Sequence, residues 1–298
     1  MSQITLKQLE AFVQVAKLES FRKAARALNT TQPNISSRIS KLEEQMGQVL
    51  LKRSSSSVSP THSGKQLLEK AQTVLLAVDD LMETSGTNTL FEGSLRVGVT
   101  EIVAHSWLGQ FLNTFSEAFP NVTLELRVDL SENLTTALAD NEIDLALQNG
   151  PFKTQSENPI QLGSYAMTWV ASPSFKAASD PLEKDNLAKQ TILSHSRDTL
   201  PFAQLEEHFK AVSDAVHLVP SNSVTACLEM TRQGIGVACL PAAIVKSELK
   251  QGTLVELNYE WVPDSLYFEA RYNPDFAAHY IKEAANIAAD ASQQYQSQ

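Results

Sequence analysis

The sequence predicts a multidomain protein: an all-α head with a small β wing, one connecting helix, and a body of two α/β lobes. Three observations carry this expectation. The first is length, since 298 residues with 43% hydrophobic content can fill two or three cores rather than one. The second is pattern: apolar residues recur at helical spacing to about Thr84, whereas from Gly93 short strand-like runs alternate with helical stretches. The third is charge. Residues 1–65 hold ten Lys or Arg against four Asp or Glu, a net +6, while the other 233 hold 14 against 30, a net −16. A basic head on an acidic body suits a polyanion held at one end only.

From Thr5, a helix cap, Leu6, Leu9, Phe12, Val13 and Ala16 mark a first helix with one apolar face. The stretch SFRKAARALNTTQPNISSRISKLE follows, from Ser20 to Glu43. Phe21, Ala24, Ala25 and Leu28 turn one stripe inward, leaving Arg22, Lys23 and Arg26 outside. Asn29 and Thr30 break the pattern, Thr31 caps a new start, and Pro33 sits in the first turn, where its missing N–H has no intrahelical partner to lose. Ile35, Ile39 and Leu42 then face inward, and Gln32, Asn34, Ser36, Ser37, Arg38, Ser40 and Lys41 face out. This is the outline of a helix-turn-helix, over about residues 21–40. Its amide, hydroxyl and cation face matches the donors and acceptors of a DNA major groove.

Gly47 ends that helix, and two short extended pieces, Leu50 to Arg53 and Val58 to Pro60, flank Ser54 to Ser57 as a wing. Lys52 and Arg53 at its base are placed to meet phosphates. From Ser63 to Thr84 a helix carries the seam Leu67, Leu68, Ala71, Val74, Leu75, Val78, Leu81 and Met82, and the polar stretch to Gly93 suits a hinge. Beyond it the pattern predicts strand Leu95 to Val99, helix Glu101 to Phe119, strand Val122 to Leu130, helix Asn133 to Asn141 and strand Ile143 to Gln148. A second set predicts strands at Ala166 to Ala171, Ile192 to Ser194, Val216 to Val219 and Gly236 to Leu240, with helices at Phe202 to Lys210 and Ser223 to Arg232. Such alternation implies parallel sheets covered by helices, with ligands at the carboxyl ends of the strands.

TLKQLEAFVQVAKLESF, the pair Ala24 and Ala25, TQPNISSRISKLE, LKR at Leu51 to Arg53 and VSPTHSGKQLL at Val58 to Leu68 together resemble the LysR-type family of bacterial transcription regulators. The likeness extends over nearly the whole chain. It departs at Leu51, where the family usually has phenylalanine, and at Ser37, where a larger polar or basic residue is common. The resemblance implies a winged helix-turn-helix over residues 1–62, a linker and dimerisation helix with its hinge over 63–92, and a periplasmic-binding-protein-like effector domain over 93–298. In that domain the chain crosses between lobes near Leu162 to Tyr165 and returns near Tyr267 to Arg271, and a last helix, Phe276 to Ala289, completes the first lobe. Lobe I is then about 93–163 with 270–298, and lobe II about 164–269.

The partners expected on this basis are double-stranded promoter DNA, a small-molecule effector such as a carboxylate, a second or further copies of the chain as homodimer or homotetramer, and RNA polymerase at the promoter. DNA contacts are expected from Arg22, Thr31, Gln32, Pro33, Asn34, Ser36, Ser37, Arg38, Lys41, Lys52 and Arg53. Dimerisation falls to Leu67, Leu68, Ala71, Val74, Leu75, Val78 and Leu81, since a doubled head reads a two-fold site. An effector pocket would gather Thr100 and Glu101, Gln148 and Asn149, His195, Ser196 and Arg197, and Asn222 and Ser223, all at strand ends or helix starts. Arg197 is the cation placed to clamp a carboxylate with two hydrogen bonds.

Two rival classes are weaker. For an enzyme, the six histidines are scattered without HExxH, GxSxG or a glycine-rich phosphate loop, and Ser194 beside His195 points to the opposite face of a strand. No catalytic residue, metal site or cofactor is expected, and Cys227 and Cys239 read as reduced, buried thiols. A solute-binding or sensor protein without a transcriptional role shares the two-lobed body but not the basic head. The start MSQITLKQLE has no apolar signal core and no run reaches the roughly 18 apolar residues of a membrane span, so the expected location is cytoplasmic.

Overall fold

A computed structural model describes residues 4–53, 58–85, 93–152, 159–176, 180–212, 216–274 and 278–297. Three helices make the head: α1 (Leu6–Leu18), α2 (Phe21–Ala27) and α3 (Gln32–Met46). Each begins where a side chain satisfies free backbone N–H groups: Thr5 with Gln8 as a capping box on α1, Ser20 on α2 and Thr31 on α3. Phe12, Ala24, Ile35, Ile39 and Leu42 are fully buried between the three helices. The wing is the antiparallel pair β1 (Leu51–Arg53) and β2 (Val58–Pro60), with its serine tip, Ser54 to Ser57, outside the described residues. Glu43 accepts the Leu50 and Leu51 amides at 2.8 and 3.2 Å, tying the end of α3 to the wing.

The connecting helix α4 (His62–Ser85) starts hard against this wing. At Gly64 a side chain would lie 2.1 Å from the Leu50 carbonyl oxygen, so only glycine allows that approach. The hinge expected after α4 falls mostly on residues 86–92, outside the described residues.

Lobe I comprises β3 (Gly93–Val99), α5 (Glu101–His105), α6 (Leu108–Ala118), β4 (Val122–Val128), α7 (Ser131–Ala139), β5 (Leu145–Asn149) and β6 (Ile160–Tyr165). Lobe II holds β7 (Met167–Ala171), α8 (Lys184–Ala188), β8 (Thr191–Ser194), α9 (Leu200–Phe209), β9 (His217–Pro220), α10 (Val224–Arg232), β10 (Val237–Pro241), α11 (Ala242–Gln251) and β11 (Val255–Glu256). The chain then returns to lobe I through β12 (Leu266–Tyr272) and α12 (His279–Gln296). The sheets run β4-β3-β5-β12-β6 and β11-β7-β10-β8-β9. Both are mixed rather than parallel. In lobe I β12 runs antiparallel to β5 and β6, and in lobe II β7 runs antiparallel to β10 and β11. The first strand after each crossing, β7 and β12, is the one that reverses, because no covering helix carries the chain back to the other end of the sheet before it. One apolar cluster, including Trp107, Phe111, Phe115, Trp169 and Phe268, runs through both lobes.

Beyond shifts of a residue or two at element ends, the structure departs from the sequence expectation in three places. The helix expected over 101–119 is two, broken where Ser106 turns its hydroxyl back onto the Ile102 carbonyl at 2.6 Å. The last helix runs to Gln296, and its start at Phe276 lies outside the described residues. α8 and α11 had no expected counterpart.

The head also touches lobe I. Arg26 pairs with Glu142 at 3.1 Å, Lys23 with Asp140 at 3.8 Å, and the Asn29 amide donates to the Ser94 carbonyl at 3.2 Å. Glu142 receives Arg127 as well, at 3.3 Å.

Candidate DNA interface and interlobe site

Helix α3 is fixed by three buried residues on one side, so its other side is held at a defined angle to solvent. Thr31, Gln32, Pro33, Asn34, Ser37 and Lys41 are exposed along it, with Ser36 and Arg38 half-buried at its flank. The α2–α3 turn is tight. Asn29 adopts φ 46°, the Thr30 amide reaches the Ala25 carbonyl at 2.9 Å, and the Asn34 amide group donates to Thr30 Oγ1 at 3.2 Å. Lys52 and Arg53 are exposed on β1, and the Arg53 guanidinium rests 4.5 Å above the Phe21 ring at the start of α2. Arg22 lies exposed on α2 next to Phe21 in sequence. The predicted DNA residues thus lie on α2, α3 and the wing, exposed except for the half-buried Ser36 and Arg38.

The residues predicted for dimerisation divide. Ala71 is buried, and Leu67, Leu68 and Leu75 pack against the head's own core. Further along α4, Val74 is 44% and Leu81 67% exposed, with Val78 partly covered. Leu67, Leu68, Ala71 and Leu75 are therefore used within the chain, while Val74 and Leu81 face solvent.

Between the lobes, the start of α5 meets the start of α10. Glu101 accepts the Ser223 hydroxyl at 3.0 Å, the Val224 amide, and the Thr225 amide at 3.3 Å. One turn later on α5, His105 Nε2 lies 2.7 Å from Thr225 Oγ1. A carboxylate of lobe I thus caps a helix of lobe II. Nearby, the Ser194 carbonyl receives the Ser221 amide at 2.9 Å and the Cys227 thiol at 3.4 Å. His195 is buried, and burial pushes its pKa down to about 4 against the opposing pull of Glu101, leaving the imidazole neutral at neutral pH. Thr100 Oγ1, Ser194 Oγ and His195 Nε2 are buried atoms that meet no hydrogen-bond partner among the described residues.

The remaining effector candidates are spread out. Gln148 is fully buried and donates to Thr135 Oγ1 at 3.1 Å, and Asn149 receives Ser131 at 3.1 Å, both within lobe I. Ser196 gives its carbonyl to Thr199 Oγ1, and Asn222 lies exposed in the lead to α10. Arg197 is not with Glu101. Its exposed guanidinium lies 5.3 Å from the Phe202 ring, where it helps line a surface cavity of about 360 Å³ with Phe209, Lys210 and His217. Sequence reading missed His105 and Thr225. His105 stands four residues after Glu101, on the same helix face, and that spacing was the available signal.

The comparisons agree with this architecture. The family described as "LysR substrate binding domain" matches residues 88–275, and "Bacterial regulatory helix-turn-helix protein, lysR family" matches residues 6–65. The chain is 28% identical over 286 residues to the HTH-type transcriptional regulator PtxR of Pseudomonas aeruginosa, covering 92% of this chain and 90% of that protein. It is 27% identical over 292 residues to CbbR of Cereibacter sphaeroides, with 96% and 92% covered. Its fold matches the crystal structure of ArgP from Mycobacterium tuberculosis with a TM-score of 0.59, at 24% identity, over 96% of each chain. No helix among the described residues is long and apolar enough to cross a membrane. The chain belongs to the LysR family of bacterial transcriptional regulators, its helix-turn-helix head binding DNA and its two-lobed body binding an effector.

Proposed function

We propose that this regulator acts in the cytoplasm as a homo-oligomer, reading a two-fold promoter site with α3 and changing its grip when a small molecule enters the seam between the lobes. The observation that carries the reading is α3 itself: Ile35, Ile39 and Leu42 are wholly buried while its amide, hydroxyl and cationic side chains face out beside the cations of the wing. Gln32, Asn34, Ser36, Ser37 and Arg38 serve base edges, and Arg22, Lys41, Lys52 and Arg53 serve phosphates. The exposed Val74 and Leu81 of α4 supply the contact to a second copy. Two heads so joined cover two half-sites a helical turn apart. RNA polymerase is the partner at the promoter.

Effector control requires that the ligand favour one arrangement of the lobes over the other. The seam at Glu101 and α10 is where the two arrangements differ. The reading gives the protein no catalytic step. A gel shift with the DNA fragment upstream of its own gene, at graded salt, tests it. A regulator retards that fragment in preference to unrelated DNA, whereas a solute-binding protein or an enzyme leaves both unshifted.

A further inference from the structure

The start of α10 is a natural seat for an anion. Its first N–H groups have no partners within the helix, and the helix dipole places partial positive charge there. In this chain the seat is already taken from the opposite lobe, by Glu101 through Ser223, Val224 and Thr225. Around it lie polar atoms that point to a ligand: Thr100 Oγ1, Ser194 Oγ and His195 Nε2, each on a residue more than nine-tenths buried, none with a hydrogen-bond partner among the described residues. His195 is held neutral by its burial, and the charge acting on it is that of Glu101. Arg197, two residues on, stacks on Phe202 instead. Around the α10 start the described residues therefore present the Glu101 carboxylate among hydroxyls and the imidazoles of His105 and His195.

We propose that Glu101 sets the charge class of the effector, pre-empting the α10 anion seat so that the ligand fitting this seam carries a cationic, amine- or guanidinium-type nitrogen. The inference rests on the effector-binding reading of the interlobe seam and names the ligand chemistry for it. An acidic ligand would have to expel a tethered carboxylate, whose effective concentration at the helix start is on the order of millimolar or more, and then lie beside its charge. A cationic nitrogen meets the opposite balance. It is drawn by the Glu101 charge, and its N–H groups find acceptors in the Thr100 and Ser194 hydroxyl oxygens, which meet no hydrogen-bond partner among the described residues.

Two four-carbon probes of opposite charge, putrescine and succinate, test this on the full chain by thermal shift and titration calorimetry. Putrescine should raise the unfolding temperature of the wild type, and its affinity should fall at least tenfold in Glu101→Gln. Succinate should leave the wild type unmoved and stabilise Glu101→Ala, where the Val224 and Thr225 amides lose their acceptor while Ser223 still caps Ala226. Stabilisation of the wild type by succinate, or by neither probe, overturns the proposal, as does equal putrescine affinity in wild type and Glu101→Gln. If the variants fail to unfold cooperatively, the comparison of the two probes on the wild type still decides. Retardation of the promoter fragment by the same preparation separates failure of the charge class from failure of the regulator reading.

Discussion

Arg38 sits one turn beyond Asn34 on α3, half-covered at the rim of the exposed face, and in the proposed reading its guanidinium pairs with two acceptors on one guanine. Arg38→Ala should therefore weaken the matched operator by about 1–3 kcal/mol and flatten discrimination at one base position. Lys52→Ala should instead weaken all sequences alike and reduce the salt slope by about one, and titrations against operator variants at two salt concentrations separate the two outcomes. Two histidines give a pH dependence. Burial pushes His195 and His208 down to about 4, His208 with help from the Lys184 charge, while in the unfolded chain each titrates near 6.5. Folded molecules thus bind fewer protons than unfolded ones between these values. Stability should be undiminished above pH 6.5, fall as the pH drops from about 6.5 to about 4, and then level off for this contribution, which thermal unfolding across that range checks. Glu101 was legible as a residue at a helix start, but its acceptors' partners lie more than a hundred residues along the chain, where local spacing carries no information. Arg197 shows the reverse. Its position at a strand end was legible, and its direction was not, because the Phe202 ring five residues later draws the guanidinium away.

At the scale of elements, the strong signals were those written within one helix: caps at Thr5 and Thr31, and apolar stripes on α1, α3 and α4. Where tertiary packing overrode a continuous pattern, the sequence was silent. The apolar run from Ile102 to Phe119 reads as one helix, yet Ser106 diverts it, so that Trp107 and Phe111 enter the core while α5 points its start at lobe II. The strands at the two crossings carry the same β-rich composition as their neighbours, so nothing in them foretold antiparallel pairing. For α4, periodicity marked one seam, and packing divides it between the head's own core and solvent. Leu81→Asp should accordingly leave the unfolding of the head unchanged while shifting the oligomer toward monomer, measured by sedimentation at micromolar protein. The same change at Ala71, buried at 1% exposure, should unfold the head instead.

For the molecule as a whole, the split between a +6 head and a −16 remainder was plain in the sequence, and the structure brings the two signs into contact. Exposed pairs of this kind contribute roughly 0.2–1 kcal/mol each at low salt. The double substitution Asp140→Asn with Glu142→Gln should therefore free the head from lobe I and raise affinity for unrelated DNA about two- to tenfold at low ionic strength, with little change at high ionic strength; fluorescence anisotropy with a random duplex measures it. Lys23 and Arg26 are thus both clasped by carboxylates and available to the field around a duplex. Added electrolyte works on both associations at once, loosening the grip on nucleic acid while unfastening the internal clasp that masks two positive groups. A cell that concentrates its cytosol under osmotic stress would then lose less promoter occupancy than a count of phosphate contacts foretells, because the protein unveils part of its reserve of charge as the medium screens the rest.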